Sequence, residues 1–417
     1  MTGVTLDRTV RAAGPRITAA LAARFRSLDL AEDGLAEACV RAAESWPVQG
    51  IPRDPAAWLY RVAERWALDR LRHQRVTDSH PPPPPAPAPT VEEALADDAR
   101  RIPDERLRLI FVCCHPALAP DVRAALTLRL VCGLSTAATA AAFLVPEATL
   151  AQRLVRAKRK IAQAGIPFAV PGPEAWPERL DAVLTTLDLL YTTAHAEAAA
   201  TEQTRETAAE VLHLARLLTR LIPASADAHA LAALVCYAEG RRPARVDGGG
   251  VMVPLSEQDP RLWLWPRITE GSGHLAHALA LCPPGAPRGE RVLRAVLHAL
   301  WCGRESVDQP PPWPALLAVY DGLLAVRGDA VVRLNRAVVL AEVAGPDAAL
   351  QAVEDLRPVL DRYQPYHAVR AALLHRLERW AEALAAYDAA LALGPGAAER
   401  RWLERRREAA GCAPHHR

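Results

Sequence analysis

The chain has 417 residues, of which 51% are hydrophobic, and its 50 lysine and arginine residues nearly balance 48 aspartate and glutamate residues. A formal net charge of +2 excludes nucleic-acid binding driven by overall charge, so only a local cluster of basic residues could support it. Alanine, leucine and arginine dominate, while β-branched and aromatic residues are scarce, which favours an all-α fold.

The chain is long enough for two or three domains, and no segment of it predicts a membrane span. Its first residues, MTGVTLDRTVRAAGPRI, lack the apolar stretch of a signal peptide. Eight cysteines are scattered without any C-x-x-C pair, which predicts reduced thiols that pack as small core residues. We therefore expect a cytoplasmic protein.

Two segments rich in proline divide the chain into three folded parts. The run HPPPPPAPAPT at 80–90 favours polyproline II structure and predicts a semi-rigid spacer, although such runs also serve as ligands for aromatic grooves. A second boundary is predicted in GIPFAVPGPEAWP at 165–177. The predicted divisions are a first folded part at 10–78, a Pro-rich linker at 79–99, a second folded part at 100–166 and a helical extension at 175–412.

The helical segment DLAEDGLAEACVRAAESW, residues 29–46, has an apolar side and an acidic side. The apolar side is predicted at Leu30, Leu35, Cys39 and Ala42. The acidic side consists of Asp29, Glu32, Asp33 and Glu37. Such a face is either an ordinary solvated surface or a docking surface for a basic partner, and the segment alone favours the solvated surface.

The segment at 51–75 interleaves basic and aromatic residues on a helix that Pro55 is suited to begin. This pattern is used on single-stranded nucleic acid, where cations bind phosphates and rings stack on bases. An amphipathic helix with tryptophans in the core, Trp58 above all, explains it equally well. The candidate nucleic-acid contacts are Arg53, Trp58, Arg61, Arg65, Trp66, Arg70 and Arg72.

Residues 121–165 predict a helix-turn-helix, with a turn at CGLS, a second helix at 135–144 and a recognition helix at 147–162. Gly133 is expected to end the first helix, and Ser135 is a suitable N-cap for the next.

The predicted recognition helix separates apolar from basic residues. Leu150, Leu154, Ala157 and Ile161 recur at the spacing of a buried stripe, and no acidic residue occurs between 148 and 163. A DNA-reading helix needs this division, whereas a merely solvated face usually mixes both signs of charge. The candidate DNA contacts are Thr149, Gln152, Arg153, Arg156, Lys158, Arg159 and Lys160.

Together these segments resemble the bacterial extracytoplasmic-function (ECF) sigma factors of RNA polymerase. The strings P-x-x-WLYRVA and T-x-A-x-R-L-x-RAKRKI look like their regions 2 and 4. RLRLIFVCCHPAL is similar to the start of region 4 in the subgroup with a long C-terminal helical extension. ARVDGG and VRLNRAVVLAEVAGPDAAL resemble signatures of that extension, so the resemblance covers nearly the whole chain.

The resemblance implies a sigma factor that binds core RNA polymerase through the acidic side and recognises promoter DNA. Region 2 would read the −10 element and region 4 the −35 element. The extension would regulate activity, with a small DGPF-type (YCII-like) protein as a candidate partner. The resemblance implies no catalysis, and we expect neither a cofactor nor a metal.

Two stretches depart from the family pattern. Ala36 and Cys39 stand where typical members have Gln and Phe in the helix that docks on polymerase. YTTAHAEA at 191–198 stands where the subgroup tends to carry a FNEGY-like stretch.

Cys113, Cys114 and His115 are adjacent in an apolar run, which predicts packing rather than a metal site or a redox pair. Zinc needs four ligands at characteristic spacings, and vicinal cysteines rarely form a disulfide. A thiol sensor would require an exposed sulfur with a low pKa.

The end of the chain contains a repeat pattern. AEALAAYDAALALGP places Ala383, Tyr387, Ala390 and Pro395 at positions of the second helix of a tetratricopeptide repeat. Roughly 34 residues earlier, Ala349, Val353 and Leu356 occur in register. We predict one or two degenerate repeats, capped by AERRWLERRREA, that serve as an interaction domain or as a helical prop.

Two other classes of protein compete with the sigma factor. One is a helix-turn-helix regulator with a tetratricopeptide-like sensor that binds duplex DNA without polymerase, and the other is a protein scaffold. The region 2 pattern argues against the regulator, and a scaffold would not require an acid-free basic helix. Dependence on core polymerase is the property that separates them.

Overall fold

The computed structural model describes residues 2–77, 105–143, 145–168, 176–195, 198–199 and 201–412, and the linker predicted at 79–99 lies outside them. The described residues are helical almost throughout, which confirms the all-α fold. The chain divides into two compact units, Met1–Leu190 and Tyr191–Arg417.

The first helices of the chain, all in the first unit, include those predicted at 29–46, at 51–75 and in the helix-turn-helix. In chain order they are α1 (Thr2–Phe25), α2 (Leu28–Gln49), α3 (Pro55–Thr77), α4 (Arg106–Cys113), α5 (Pro120–Leu126), α6 (Thr136–Ala142) and α7 (Glu147–Gln163). A π-helical segment, Thr127–Val131, continues α5 where the sequence predicts ordinary α-helix. Pro55 begins α3 as expected, and α6 and α7 lie within two residues of their predicted bounds.

The buried side of α2 is rotated from its predicted position. Leu30, Leu35 and Cys39 are only half-buried, so their assignment to the apolar side needs correction, whereas Ala42 is buried as predicted. Close packing at small residues is the physical reason: a Cβ added to Gly34 would lie 3.1 Å from the carbonyl oxygen of Ala63 on α3. The residues of α2 that are buried are Leu28, Ala31, Gly34, Ala38, Ala42 and Trp46.

The helix α8 (Trp176–His195) contains the division between the units, and further helices complete the second unit. They are α9 (Glu202–Leu221), α10 (Ala226–Arg241), α11 (Trp265–Leu281), α12 (Glu290–Cys302), α13 (Trp313–Val326), α14 (Ala330–Val343), α15 (Pro346–Glu354), α16 (Arg357–Leu360), α17 (Gln364–Arg376), α18 (Trp380–Ala392) and α19 (Ala397–Gly411). α10 is buried along nearly its whole length, so it is the central helix around which α9, α11 and α12 pack.

Most of the predicted repeat positions are buried at the end of the second unit, although Leu356 lies beyond the end of α15 and Pro395 lies outside the core. Helices α14 and α15 pack as one pair, α17 and α18 as another, and α19 packs on α18. The small and aromatic residues at register positions share one core with Leu403 of α19. The register residues buried in that core are Ala349, Val353, Leu356, Ala383, Tyr387 and Ala390.

Candidate nucleic-acid and polymerase interface

The helix α7 has the predicted division into a buried stripe and an exposed face. Leu150, Leu154, Ala157 and Ile161 are all buried, which confirms the predicted stripe. Their burial fixes the rotation of the helix, because a turn of about 100° per residue leaves the remaining positions facing outward. The predicted contact residues that are exposed are Thr149, Gln152, Arg153, Arg156, Arg159 and Lys160.

The exposed basic groups Arg153, Arg156 and Lys160 of α7 each contact another residue of the unit. Arg153 lies 3.6 Å from Asp121 through its Nη1 atom, and Arg156 donates a hydrogen bond of 3.4 Å to Gln152. Lys160 donates to the carbonyl oxygen of Ala117 at 2.5 Å. Contacts between such exposed side chains are weak, so phosphates can replace them at little free-energy cost.

The turn before α6 contains Gly133, at a position where only a glycine fits well. Gly133 has φ +70°, the left-handed region that side chains with a Cβ avoid. A Cβ there would also lie 2.7 Å from Cγ of Pro15 on α1. The helix-turn-helix is therefore packed directly against the first helix of the unit.

Lys158 differs from the other basic residues of α7 because it is paired with the acidic side of α2. Its side chain is 16% exposed, and Nζ lies 2.5 Å from Oδ1 of Asp29 and 2.9 Å from Oε2 of Glu32. Burial acts to lower the pKa of Lys158, but the hydrogen bonds to Asp29 and Glu32 outweigh it and raise the pKa. A predicted DNA contact and two predicted polymerase contacts thus bind each other.

Arg129 adds a second link to the same carboxylate, and sequence patterns gave no sign of its role. Its Nη2 atom, on the π-helical segment, lies 3.3 Å from Oε1 of Glu32. Glu32 therefore accepts two basic groups from the helix-turn-helix. The remaining residues of the acidic side face outward: Asp33 is exposed, and Glu37 pairs with Arg41 on its own helix at 2.8 Å.

The basic residues of α3 and of the loop before it are largely at the surface. Those that are exposed are Arg53, Arg65, Arg70 and Arg72. Arg61 and Trp66 are half-buried, and the ring of Trp66 lies over Gly34 of α2. These positions leave a basic surface along the outer side of α3.

Trp58 lies in the core beneath that surface. Trp58 is 3% exposed, and its ring meets Trp46 edge-on, with 5.5 Å between ring centroids. Since both faces of the ring are covered by protein, a base cannot stack on it in this conformation. This burial supports the alternative stated in the sequence analysis, in which Trp58 packs in the core. It argues against Trp58 as a base contact.

Cys113 and Cys114 are fully buried free thiols at the end of α4. The Sγ atom of Cys114 lies 3.4 Å from the hydroxyl of Thr127, and burial raises the pKa of both thiols. A raised pKa disfavours the thiolate that a redox sensor needs, so these residues fill the core. Within the described ranges, no three His, Cys, Asp or Glu side chains are grouped to hold a metal ion.

The part of the chain that the structure describes contains no helix long and apolar enough to cross a membrane.

Comparison with known proteins finds matches to three families. Residues 9–77 match Sigma-70 region 2, residues 108–161 match Sigma-70 region 4, and residues 179–279 match a family of unknown function, DUF6596. A curated, uncharacterised protein of Rhizobium meliloti (strain 1021) is 39% identical over 402 residues, covering 95% of this chain and 94% of that protein. No solved structure matches the chain.

Proposed function

Because the chain belongs to the ECF-like sigma factors with a C-terminal extension, we propose that it brings core RNA polymerase to promoters by reading −10 and −35 elements. Region 2 (α1–α3) is proposed to read the −10 element and region 4 (α4–α7) the −35 element. The extension is proposed to regulate this activity.

The observation that carries the proposal is the exposed basic face of α7 above its buried stripe. The stripe anchors the helix, and Arg153 and Arg156 project from the opposite side. In the major groove, arginines reach guanine edges or phosphates, while lysines at the helix end bind phosphates. This arrangement supports α7 as the helix that reads the −35 element.

Melted −10 DNA requires a surface for unstacked bases and for the single-stranded backbone. The exposed arginines Arg65, Arg70 and Arg72 form a path for phosphates along α3. Arg53 in the preceding loop and the half-buried Arg61 and Trp66 would complete it. Trp58 would contribute by holding α3 against α2 through Trp46.

The acidic side of α2 is proposed to bind core polymerase through Asp29, Glu32, Asp33 and Glu37. In this conformation Lys158 pairs with Asp29 and Glu32, and Arg129 pairs with Glu32. Basic groups of polymerase must therefore replace Lys158 and Arg129 when they bind these carboxylates. The same exchange releases Lys158 for DNA. We therefore propose that polymerase and promoter binding open region 4 away from region 2.

The extension is proposed to control access or activity through a bound partner, with a small DGPF-type protein as the candidate. Its closely packed helical pairs support this role, because stacked pairs of this kind present extended surfaces to proteins and peptides.

Promoter binding with and without core polymerase tests the proposal. Fluorescence anisotropy would use labelled DNA from upstream of the chain's own coding sequence. We expect tight, sequence-selective binding only when core polymerase is present. Tight binding to the same DNA without polymerase would instead identify a helix-turn-helix regulator that acts alone.

A further inference from the structure

The end of α10 and the segment after it bring three arginines and one carboxylate together inside the second unit. The sequence EGRRPAR, residues 239–245, supplies Glu239, Arg241, Arg242 and Arg245. Arg241 is only 6% exposed, and the other three side chains are half-buried. Buried arginines are normally paired with carboxylates and hydrogen-bonded, because an unpaired charge is costly to bury.

The single carboxylate is fully occupied by its neighbours. Arg242 donates to Glu239 through Nε at 2.7 Å and Nη2 at 2.5 Å, and Tyr191 donates to Glu239 at 2.8 Å. His195 stacks on Tyr191 with 5.2 Å between ring centroids. Although burial acts to raise it, the pKa of Glu239 is lowered to about 2 by hydrogen bonds from His195, Arg242 and Tyr191 and by the charge of Arg242.

The other two arginines have no carboxylate partner among the hydrogen bonds of the described residues. Arg241 donates to Nδ1 of His298 at 2.6 Å, and burial lowers the pKa of His298, so that ring is a neutral acceptor. Burial and the charge of Arg242 lower the pKa of Arg245, although the charge of Glu399 acts to raise it. Four buried donors of these three arginines lack a hydrogen-bond partner within the described residues: Arg241 Nε, Arg241 Nη1, Arg242 Nη1 and Arg245 Nη1.

A cavity of about 600 Å³ lies against this cluster. Its charged wall contains Arg205, Arg242 and Arg267 with Glu239, and Leu212 and Leu264 contribute apolar surface. Among these wall residues, Arg267 is already paired with Glu270 at 3.2 Å. This volume lies within the range of small-molecule sites, which are mostly apolar with a few convergent polar groups.

We propose that this cavity binds a small organic oxyanion, a phosphate or carboxylate group carried on an apolar body, and that the extension senses this compound. Arg205 would bind the oxyanion, since a guanidinium matches two of its oxygens at once, and Arg242, whose Nε and Nη2 donate to Glu239, would add its charge. Arg241 and Arg245, which do not line the cavity, would add positive electrostatic potential to it. Leu212 and Leu264 would contact the apolar body.

The departure from the family pattern at YTTAHAEA falls on the same site. Tyr191 and His195 from this stretch contact Glu239, and Ala198 lines the cavity. Tyr191 and His195 orient Glu239, and through it Arg242, so we assign them as positioning residues. The sensing role rests on the proposed function, whereas the binding of the anion does not.

Calorimetric titration of the full-length protein tests the site without polymerase or DNA. The probes are phenyl phosphate, benzoate and, as the neutral comparison, benzyl alcohol. We expect saturable one-to-one binding of at least one anion and none of benzyl alcohol. The tighter of the two anions identifies the oxyanion, and inorganic phosphate measures how much the apolar body contributes.

Two substitutions and a matched control localise the binding. Arg242→Gln should weaken it about tenfold or more and Arg205→Gln about threefold to tenfold, since each removes a charged donor. Arg220→Gln, an exposed arginine on the same helix as Arg205 and outside the cavity wall, should leave it unchanged. Arg205 is itself exposed, so its variant should keep the wild-type circular dichroism spectrum.

The proposal is overturned if neither anion binds the folded protein at millimolar concentration, or if Arg205→Gln and Arg220→Gln weaken binding equally. Tight binding of a purified DGPF-type protein that Arg205→Gln abolishes, without binding of either small anion, would also overturn it in favour of a protein ligand. Adding the bound anion to promoter-dependent transcription then tests sensing, and an unchanged rate would refute that part alone. Failure of promoter recognition would leave the binding result intact.

Discussion

Arginines are concentrated in two regions of this chain, and their burial differs. On α7, Arg153, Arg156 and Arg159 are exposed over an apolar stripe. At the end of α10, Arg241 is buried and Arg242 and Arg245 are half-buried around one carboxylate. We therefore propose that the same residue type serves two kinds of ligand.

The difference in burial predicts a difference in selectivity. Exposed arginines bind a polyanion mainly through phosphate charge and counterion release, so their affinity depends steeply on salt. Buried arginines act where the effective dielectric is lower, so they are screened less by salt and discriminate by shape. The first arrangement suits promoter DNA, and the second suits a small anion.

The largest expected effect is the acid sensitivity of the buried cluster. Because the pKa of Glu239 is about 2 when folded and 4.5 in the ordinary case, the unfolded state takes up a proton first as pH falls. Stability from this group is complete above about pH 5 and is lost progressively towards pH 2, by about 3 kcal/mol.

Urea unfolding followed by circular dichroism from pH 7 to pH 3 measures this effect. Glu239→Gln should remove the corresponding part of the pH dependence. Glu257→Gln, at an exposed carboxylate paired with Arg406, is the control and should follow wild type. Parallel curves for wild type and Glu239→Gln would show that the cluster does not hold Glu239 ionised.

The next effect concerns the exposed arginines. Replacing Arg153 and Arg156 together with Ala should weaken promoter binding by the polymerase complex roughly a hundredfold, because two groove contacts are lost. The slope of log affinity against log salt should also become shallower, by about one for each phosphate contact that is removed. Arg220→Ala on the extension is the matched control.

Unchanged affinity and slope in the double variant would remove α7 from promoter recognition. A flattened slope without loss of sequence selectivity would instead assign both arginines to phosphates alone.

A smaller effect tests the turn that holds the exposed arginines in place. Gly133→Ala should destabilise the first unit by about 2 kcal/mol, since a left-handed conformation is strained and its Cβ would displace Pro15. Gly165→Ala has a similar φ, +60°, but meets nothing within 4 Å, so it should cost only about 1 kcal/mol. Thermal unfolding of both variants provides the comparison, and equal losses would contradict the contact with α1.

The smallest effect concerns the closed contact between region 4 and region 2. Arg129→Gln frees one oxygen of Glu32 without altering any predicted DNA or polymerase contact. Partly exposed ion pairs contribute little, so affinity for core polymerase should rise by less than about fivefold. Biolayer interferometry with immobilised polymerase measures it. The control is Arg108→Gln, because Arg108 pairs with Glu105 and neither residue is a proposed polymerase or DNA contact. A decrease in affinity for core polymerase with Arg129→Gln would place Arg129 itself at the polymerase interface.

Local patterns predicted most of the fold, and long-range contacts supplied what they missed. The buried stripe that includes Leu150 and Ile161 could be predicted from residue spacing within one helix. The role of Gly133 could be predicted from the turn sequence around it. The pairing of Lys158 with Glu32 joins residues 126 positions apart, which no single-segment pattern contains.

Sequence periodicity also predicted the burial of side chains only in part. The rotation of α2 depends on how closely Gly34 approaches Ala63, and the placement of Trp58 depends on Trp46. The burial of Arg241 could not be predicted from the sequence, because nothing in the local sequence distinguishes this segment from a charged surface.

Run-off transcription with sigma-free core polymerase tests the central claim most directly. The template is DNA from upstream of the chain's own coding sequence, and the read-out is a transcript of defined length. The sigma-factor assignment predicts a discrete product that requires this protein and that disappears with the Arg153→Ala/Arg156→Ala variant. A template that this protein binds tightly without polymerase, and from which polymerase makes no product, would contradict it.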